Sequence, residues 1–359
     1  MIDELKIQKV LTELPNELPT KLPNEFPIYE GKSQININFK ARCYAMAINS
    51  SNNLLLVGSG YYIKIFGITK NFTQNELQDT KVDDEIVFCL KFLPKSLSSN
   101  SFISATDKII IWQEQNLKWH TQQYLIAEMD KSPIKCLVIH PQEDLIICGS
   151  QKYIQFWYKN LHTLQGALQN NQQEWICETK KNSDTQGLSI NQNGDTLISC
   201  SFTNEIRVFK GSNRQEWIEI KKMDTNYYGL RLCFITNDVM AFQERESRPH
   251  DKLNFYSLNS QDGQGEGIIE VKGGQNSCNS LFPLIYVPSK QLIIDKNGYF
   301  INIIRIEKAP SQKYQIKQIQ YIGLNKEYIY GTASDDGNLL IFWNEEQYQV
   351  QVRRYIDQT

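Results

Sequence analysis

The sequence predicts an all-β fold built as one array of seven repeated units, preceded by a short N-terminal extension. Three observations carry this prediction. A four-residue pattern (aliphatic, any residue, aliphatic or Phe, then usually a large aromatic) recurs seven times at steps of 46, 45, 52, 47, 48 and 39 residues. Short β-rich runs divided by Gly, Asn, Asp and Ser precede the copies in a fixed order. Hardly any helical period follows residue 30.

The extension, residues 1–33, differs in kind from the array at 34–359. Ile7, Val10, Leu11 and Leu14 fall at helical spacing, so a short amphipathic helix is expected from Ile2 to Leu14. A tetrapeptide repeat with Pro15, Pro19, Pro23 and Pro27 follows. Proline at every fourth place excludes a helix or central strand and favours an extended strip. That strip reads either as a semi-rigid leader along the array or as a docking strip with Leu14, Leu18, Leu22 and Phe26 as evenly spaced anchors.

In the array, the recurring pattern runs through Ile63–Phe66, Ile109–Trp112, Ile154–Trp157, Ile206–Phe209, Leu253–Tyr256, Ile301–Ile304 and Leu340–Trp343, read as third strands. First strands are expected at Cys43–Ile48, Val87–Pro94, Ile134–Pro141, Thr185–Ile190 and Ile316–Ile322. Second strands, apolar and ending in small residues, are expected at Leu54–Ser59, Phe102–Ala105, Leu145–Ser150, Leu197–Ser201 and Tyr328–Ser334. Gln347–Arg353 and Gln34–Phe39 both alternate as a half-exposed outer strand would, and the C-terminal segment is expected to take the outer place because it completes its own unit.

Order and period together make the array resemble WD40 repeats, seven of which form one seven-bladed β-propeller. The match is best from Val87 to Trp157 and again from Ile316 to Trp343, with Ser334-Asp335-Asp336-Gly337 expected as the turn before a third strand. Trp217–Ile220, Val271–Gly274, Asn297-Gly298 and Gln349–Tyr355 are also similar to the WD40 families of ciliate protists. The family's Gly-His pair is absent, and only Trp112, Trp157 and Trp343 supply the final Trp. The buried Asp-His-Ser-Trp network of well-formed WD40 blades is therefore not expected. Blade five, with its insertion at Gln243–Lys252, and blade six, with Pro283, should be the least regular.

Composition narrows the function. The 359 residues carry 40 acidic and 38 basic side chains, a net charge of −2, and no polybasic run, so no nucleic-acid partner is expected. Basic pairs at Lys180-Lys181, Lys221-Lys222 and Arg353-Arg354 are the places where such binding would begin. No apolar stretch approaches the roughly 20 residues of a membrane span, and Asp3 and Glu4 oppose a signal peptide. A soluble cytoplasmic protein is expected, with no membrane partner. Eight scattered cysteines without CxxC spacing read as reduced and buried.

No GxSxG, HExxH, GxxxxGK[ST] or EF-hand pattern occurs, and His120, His140, His162 and His250 lie outside metal-ligand spacing of one another. No catalytic residue, cofactor or metal is expected. Gly263–Gly267 follows a polar stretch and precedes a strand, which makes it a loop between blades. What remains is binding. The resemblance places the loops entering each first strand and those joining second to third strands on one rim. Asp83, Asp84, Glu85, Asp130, Asp184 and Asp224 fall in entry loops and would suit a basic peptide or protein, although Asp is also favoured in turns for its own hydrogen bonds. Arg245 and Arg248 in the blade-five insertion reach the same rim, and Tyr61, Tyr62, Tyr227 and Tyr228 sit at loop ends. The expected function is a non-catalytic interaction scaffold, a subunit of a larger cytoplasmic, cytoskeletal or ciliary assembly. The alternative is a propeller enzyme or small-ligand binder using the axial channel.

Overall fold

A computed structural model describes residues 28–30, 35–69, 74–82, 84–93, 101–126, 131–160, 175–212, 215–245, 251–259, 267–273, 281–308 and 314–357. Seven antiparallel sheets stand around a common axis, and their innermost strands are Cys43–Ile48, Cys89–Leu93, Cys136–Ile139, Gly187–Ile190, Gly229–Phe234, Ile285–Val287 and Ile329–Ala333. The fold is a seven-bladed β-propeller. The expected N-terminal helix and the Leu-Pro strip, with Leu18, Leu22 and Phe26, lie outside the described residues.

Near-continuous apolar runs in the middle strands, with clear alternation in the outer ones, explain the arrangement, because both faces of each sheet are covered by neighbours. One hydrophobic cluster fills each interval between blades, seven in all among the described residues. The cluster between blades seven and one includes Ile37, Met46, Leu55, Tyr330, Ile341 and Trp343, and closes the ring. Blade six has the shortest inner strand, three residues just after the exposed Pro283, as the missing backbone donor requires.

The last unit corrects the sequence reading by one strand. Ile316–Ile322 lies within Tyr314–Gly323, the outer strand of blade six, and Tyr328–Ser334 supplies the inner strand of blade seven. Leu339–Asn344 is that blade's second strand, and Gln349–Ile356 its third. Ser334–Gly337 accordingly turns from inner to second strand. Gly337 sits at φ +67° and Gly194, in the corresponding turn of blade four, at φ +75°, a region open to glycine at little cost. The outer place of blade seven goes to the N-terminal chain, since Ile35–Asn38 and Ile28–Tyr29 both pair with Gln349–Ile356. Chain ends joined in one blade leave the ring without an open seam.

A recurring side-chain clasp ties the outer strands together. Gln78 on blade one donates its amide to the Trp119 carbonyl (2.9 Å) and accepts from the Trp119 N–H (2.8 Å) on blade two. Gln123 on blade two does the same to Trp175 on blade three, at 3.1 Å for both bonds. Gln320 on blade six clasps Tyr29, at 2.8 and 2.9 Å. The bound aromatics are all buried, and Tyr29 occupies in blade seven the place that Trp119 and Trp175 occupy in theirs. That shared role identifies the N-terminal segment as a true outer strand.

Part of the expected-absent Trp network survives. Trp112 Nε1 donates to Ser104 Oγ at 2.9 Å in blade two, and Trp157 Nε1 to Gln155 Oε1 at 3.3 Å in blade three. The inner-to-second turns are instead held by other polar groups. Asn49 Oδ1 accepts from the N–H groups of Asn53 and Leu54, and Asn191 Oδ1 from those of Asp195 and Thr196. The seven described cysteines carry free thiols, and Cys278 lies outside the described residues. Burial pushes the thiols of Cys43 and Cys89 up to about 12, which suppresses the reactive thiolate.

Candidate functional site

Four antiparallel strands per blade put the loops entering the inner strands and the loops joining second to third strands at the same end of the ring. Backbone bonds join the two sets. Val82 N–H donates to Tyr61 O at 2.8 Å, Ile134 N–H to Thr106 O at 2.7 Å, Thr185 N–H to Ser150 O at 2.9 Å and Arg245 N–H to Tyr228 O at 2.6 Å. From blade one to blade five, the described loops of both kinds are thus bonded to one another at this end.

The acids named from sequence are distributed along this rim, each in its own local setting. Asp84 is exposed and paired with Lys81 at 2.6 Å, and that lysine holds its carboxyl below the usual range. Glu85 is exposed beside it. Asp184 is half-buried and accepts from the Gln186 amide at 3.2 Å, while Lys135 Nζ donates to the Gln186 oxygen at 3.3 Å. Asp224 is exposed at the end of the outer strand of blade four. Asp83, Asp130 and Arg248 lie outside the described residues. Arg245 is half-buried, and Tyr227 is half-buried with its carbonyl accepting from Thr225 Oγ1 at 2.9 Å. Lys131, Lys135 and Lys152 belong to the same end of the ring, so the rim carries both signs of charge.

Sequence reasoning named Tyr61, Tyr62, Tyr227 and Tyr228 at this end and passed over Tyr44, Phe88, Phe202, Tyr328 and Tyr330. Tyr61 and Tyr62 are 45% and 43% exposed, and Phe202 is 49% exposed with its ring against Tyr228 at 5.7 Å. Tyr44 lies between Phe88 (6.0 Å) and Tyr330 (4.9 Å). Arg42 stacks over Tyr328 at 4.4 Å while bonding Glu345 at 2.6 Å, and Lys135 stands over Phe202 at 6.0 Å. A signal was present: Phe88, Lys135 and Gln186 hold equivalent places at the start of their inner strands, where polar and aromatic residues interrupt an otherwise aliphatic pattern.

Along the axis runs a channel of about 410 Å³ lined by the inner strands. Its walls are polar and apolar in about equal measure, with Lys91, Lys135, Arg231 and Asp335 as the charged groups. The end away from the entry-loop rim opens into a space of about 250 Å³ that also borders His140 and Glu143. His140 is tied into the structure on both ring nitrogens. Nε2 bonds Gly194 O at 2.9 Å, which links blade three to blade four, and Nδ1 accepts from the Gln142 N–H at 3.2 Å. Among the described residues, no group of three His, Cys, Asp or Glu side chains is placed to hold a metal ion.

Beside the channel, a buried polar centre joins blades five and six. The Arg231 guanidinium, 2% exposed, donates to the carbonyl oxygens of Phe282 and Lys296 and to Gln243 Oε1. Asp295 is fully buried; Oδ2 accepts from Asn302 at 3.2 Å, and Oδ1 has no hydrogen-bond partner among the described residues. Burial raises the Asp295 carboxyl to about 6, against the pull of Arg231, Asn302 and Lys296. Asn302 also clasps the backbone N–H and C=O of Lys272, at 3.1 and 2.9 Å. The Arg231 bonds to Phe282 and Lys296 and the Asn302 bonds to Lys272 brace blade five against blade six.

Among the described residues, no helix is long and apolar enough to cross a membrane. Compared with known proteins, the chain matches no family model and no curated sequence.

Proposed function

We propose that this propeller is a non-catalytic interaction platform of the WD40 kind, holding partner proteins on its entry-loop rim within a cytoplasmic assembly of cytoskeletal or ciliary type. The observation that carries the reading is the gathering of half-exposed aromatics and cation–aromatic pairs on that rim: Tyr61, Phe202, Tyr228, and Arg42 over Tyr328. Aromatics and arginine are the residues that dominate binding energy at protein interfaces, the aromatics because they bury much area with few rotatable bonds, arginine because its planar guanidinium stacks on rings and donates in a fixed fork. Asp84, Glu85 and Asp224, exposed around the same rim, favour a partner segment that is basic. The setting rests on the resemblance of segments such as Trp217–Ile220 and Gln349–Tyr355 to ciliate WD40 repeats, which does not name the partner.

Crosslinking mass spectrometry on native extracts tests this, with a Tyr61→Ser, Phe202→Ser, Tyr228→Ser triple variant as control. Crosslinks should concentrate on the entry loops and fall at least tenfold in the variant. Crosslinks confined to the outer strands, or to chaperones alone, would overturn the reading.

A further inference from the structure

Two opposite charges stand in the axial channel without meeting. Lys91, on the inner strand of blade two, and Asp335, just past the inner strand of blade seven, line both the main channel and its widened end. Among the described residues neither makes an ion pair or a side-chain hydrogen bond. Yet they sense each other. The surrounding strands desolvate the Lys91 ammonium and lower its pKa, and Asp335 pulls it back up. Lys91 is accessible to water because the channel leaves room beside it.

Both side chains are exposed within the channel, so each is open to a ligand there, and the surrounding strands desolvate the ammonium alone. Around them the lining is polar and apolar in about equal measure, its apolar part including Met46, Leu90, Leu137, Leu188, Leu232 and Leu284. A channel of about 410 Å³ falls within the roughly 300 to 1,000 Å³ of small-molecule sites, which pair apolar walls with a few placed polar groups. We propose that the axial channel binds a small zwitterion, an α-amino acid with an apolar side chain, its carboxylate on Lys91 and its ammonium on Asp335. One molecule then satisfies both charges at once, and its side chain covers the aliphatic wall. A plain anion leaves Asp335 unanswered, and a plain cation leaves Lys91 unanswered. Lys135, on the channel wall towards the entry-loop end, adds positive potential at the way in. The site is independent of the rim reading, because it uses none of the rim aromatics.

Isothermal titration calorimetry of the full chain with L-leucine and L-phenylalanine tests the proposal. Saturable binding is expected for both, and at least tenfold weaker binding for 4-methylpentanoate, which lacks the ammonium, and for isoamylamine, which lacks the carboxylate. Lys91→Met and Asp335→Asn should each weaken leucine binding at least tenfold, while Lys91→Arg stays within a few-fold. Circular dichroism and the unfolding midpoint check that the variants fold. Absence of saturable heat up to about 10 mM leucine, tenfold above the ~1 mM dissociation constant that corresponds to about 4 kcal/mol, would sink the proposal. So would equal binding by folded Lys91→Met, or equal binding of all three ligands.

Discussion

Ring closure by the N-terminal strand makes Tyr29 the residue whose loss should open the propeller. Its side chain is fully buried, its hydroxyl donates to Gly337 O at 2.8 Å, and its ring meets Tyr355 edge-on at 5.5 Å. Truncation of a buried aromatic to Ala costs about 3–5 kcal/mol, from lost transfer energy and the cavity left behind. Tyr29→Phe retains the ring and leaves only the Gly337 carbonyl without its donor, for about 1 kcal/mol. Gln320→Ala removes the two bonds to the Tyr29 backbone and should cost about 1–2 kcal/mol, as should Gln78→Ala and Gln123→Ala at the matching clasps. Urea unfolding followed by tryptophan fluorescence reads all five. With an m-value of about 3 kcal/mol/M, the Tyr29→Ala midpoint drops by roughly 1 to 1.7 M. Removal of residues 1–38 should further leave the edge of Gln349–Ile356 bare and cause concentration-dependent association in light scattering. A Tyr29→Ala midpoint within about 0.3 M of the parent, or a monomeric truncated chain of unchanged stability, would refute closure by this strand.

Three other outcomes follow from the geometry. Asp295 is protonated more readily folded, at about 6, than unfolded, near the ordinary 3.8, so the folded state binds the extra proton between those values. Stability should therefore fall as pH rises from about 4 to 6, by up to about 3 kcal/mol, and Asp295→Asn should flatten that slope; equal slopes in urea titrations from pH 4 to 7 would contradict it. Gly194→Ala drives a Cβ into His140 Nε2 at a φ of +75°, and about 2 kcal/mol or more should be lost. His140→Ala in that background should recover the part due to the clash, so additive losses in thermal unfolding would argue against contact. Ser104→Ala strands the buried Trp112 Nε1 and should cost about 1–3 kcal/mol by urea unfolding, with no comparable loss expected from exposed Ser50.

The fold was legible because the hydropathy pattern of a propeller strand is local: Ile109-Ile110-Ile111-Trp112 and Ile154-Gln155-Phe156-Trp157 announce a buried middle strand whatever surrounds them. The last unit misled for the same reason. Leu340-Ile341-Phe342-Trp343 satisfies the pattern as a second strand, since the middle strands of a blade are buried on both faces and read alike. Only the shortened step of 39 residues marked the slip. The true third strand of blade seven places Arg353 near the position where other blades carry an aromatic, stacked on Phe342 at 5.1 Å, so its pattern was disguised by a charge.

The clasps and the channel were hidden for a deeper reason. A glutamine that bonds a neighbouring strand's backbone leaves no hydropathy signature, and Gln78 and Trp119 are 41 residues apart where Gln123 and Trp175 are 52 apart. Only closure brings them into register. Lys91 and Asp335 are more extreme, because they hold unlike places in units two and seven, where the logic of repetition assigns neither of them a role. Repetition specifies a scaffold by what the units share. Whatever this propeller binds must be read from what they do not share, and such differences acquire chemical meaning only once the seventh blade is locked beside the first.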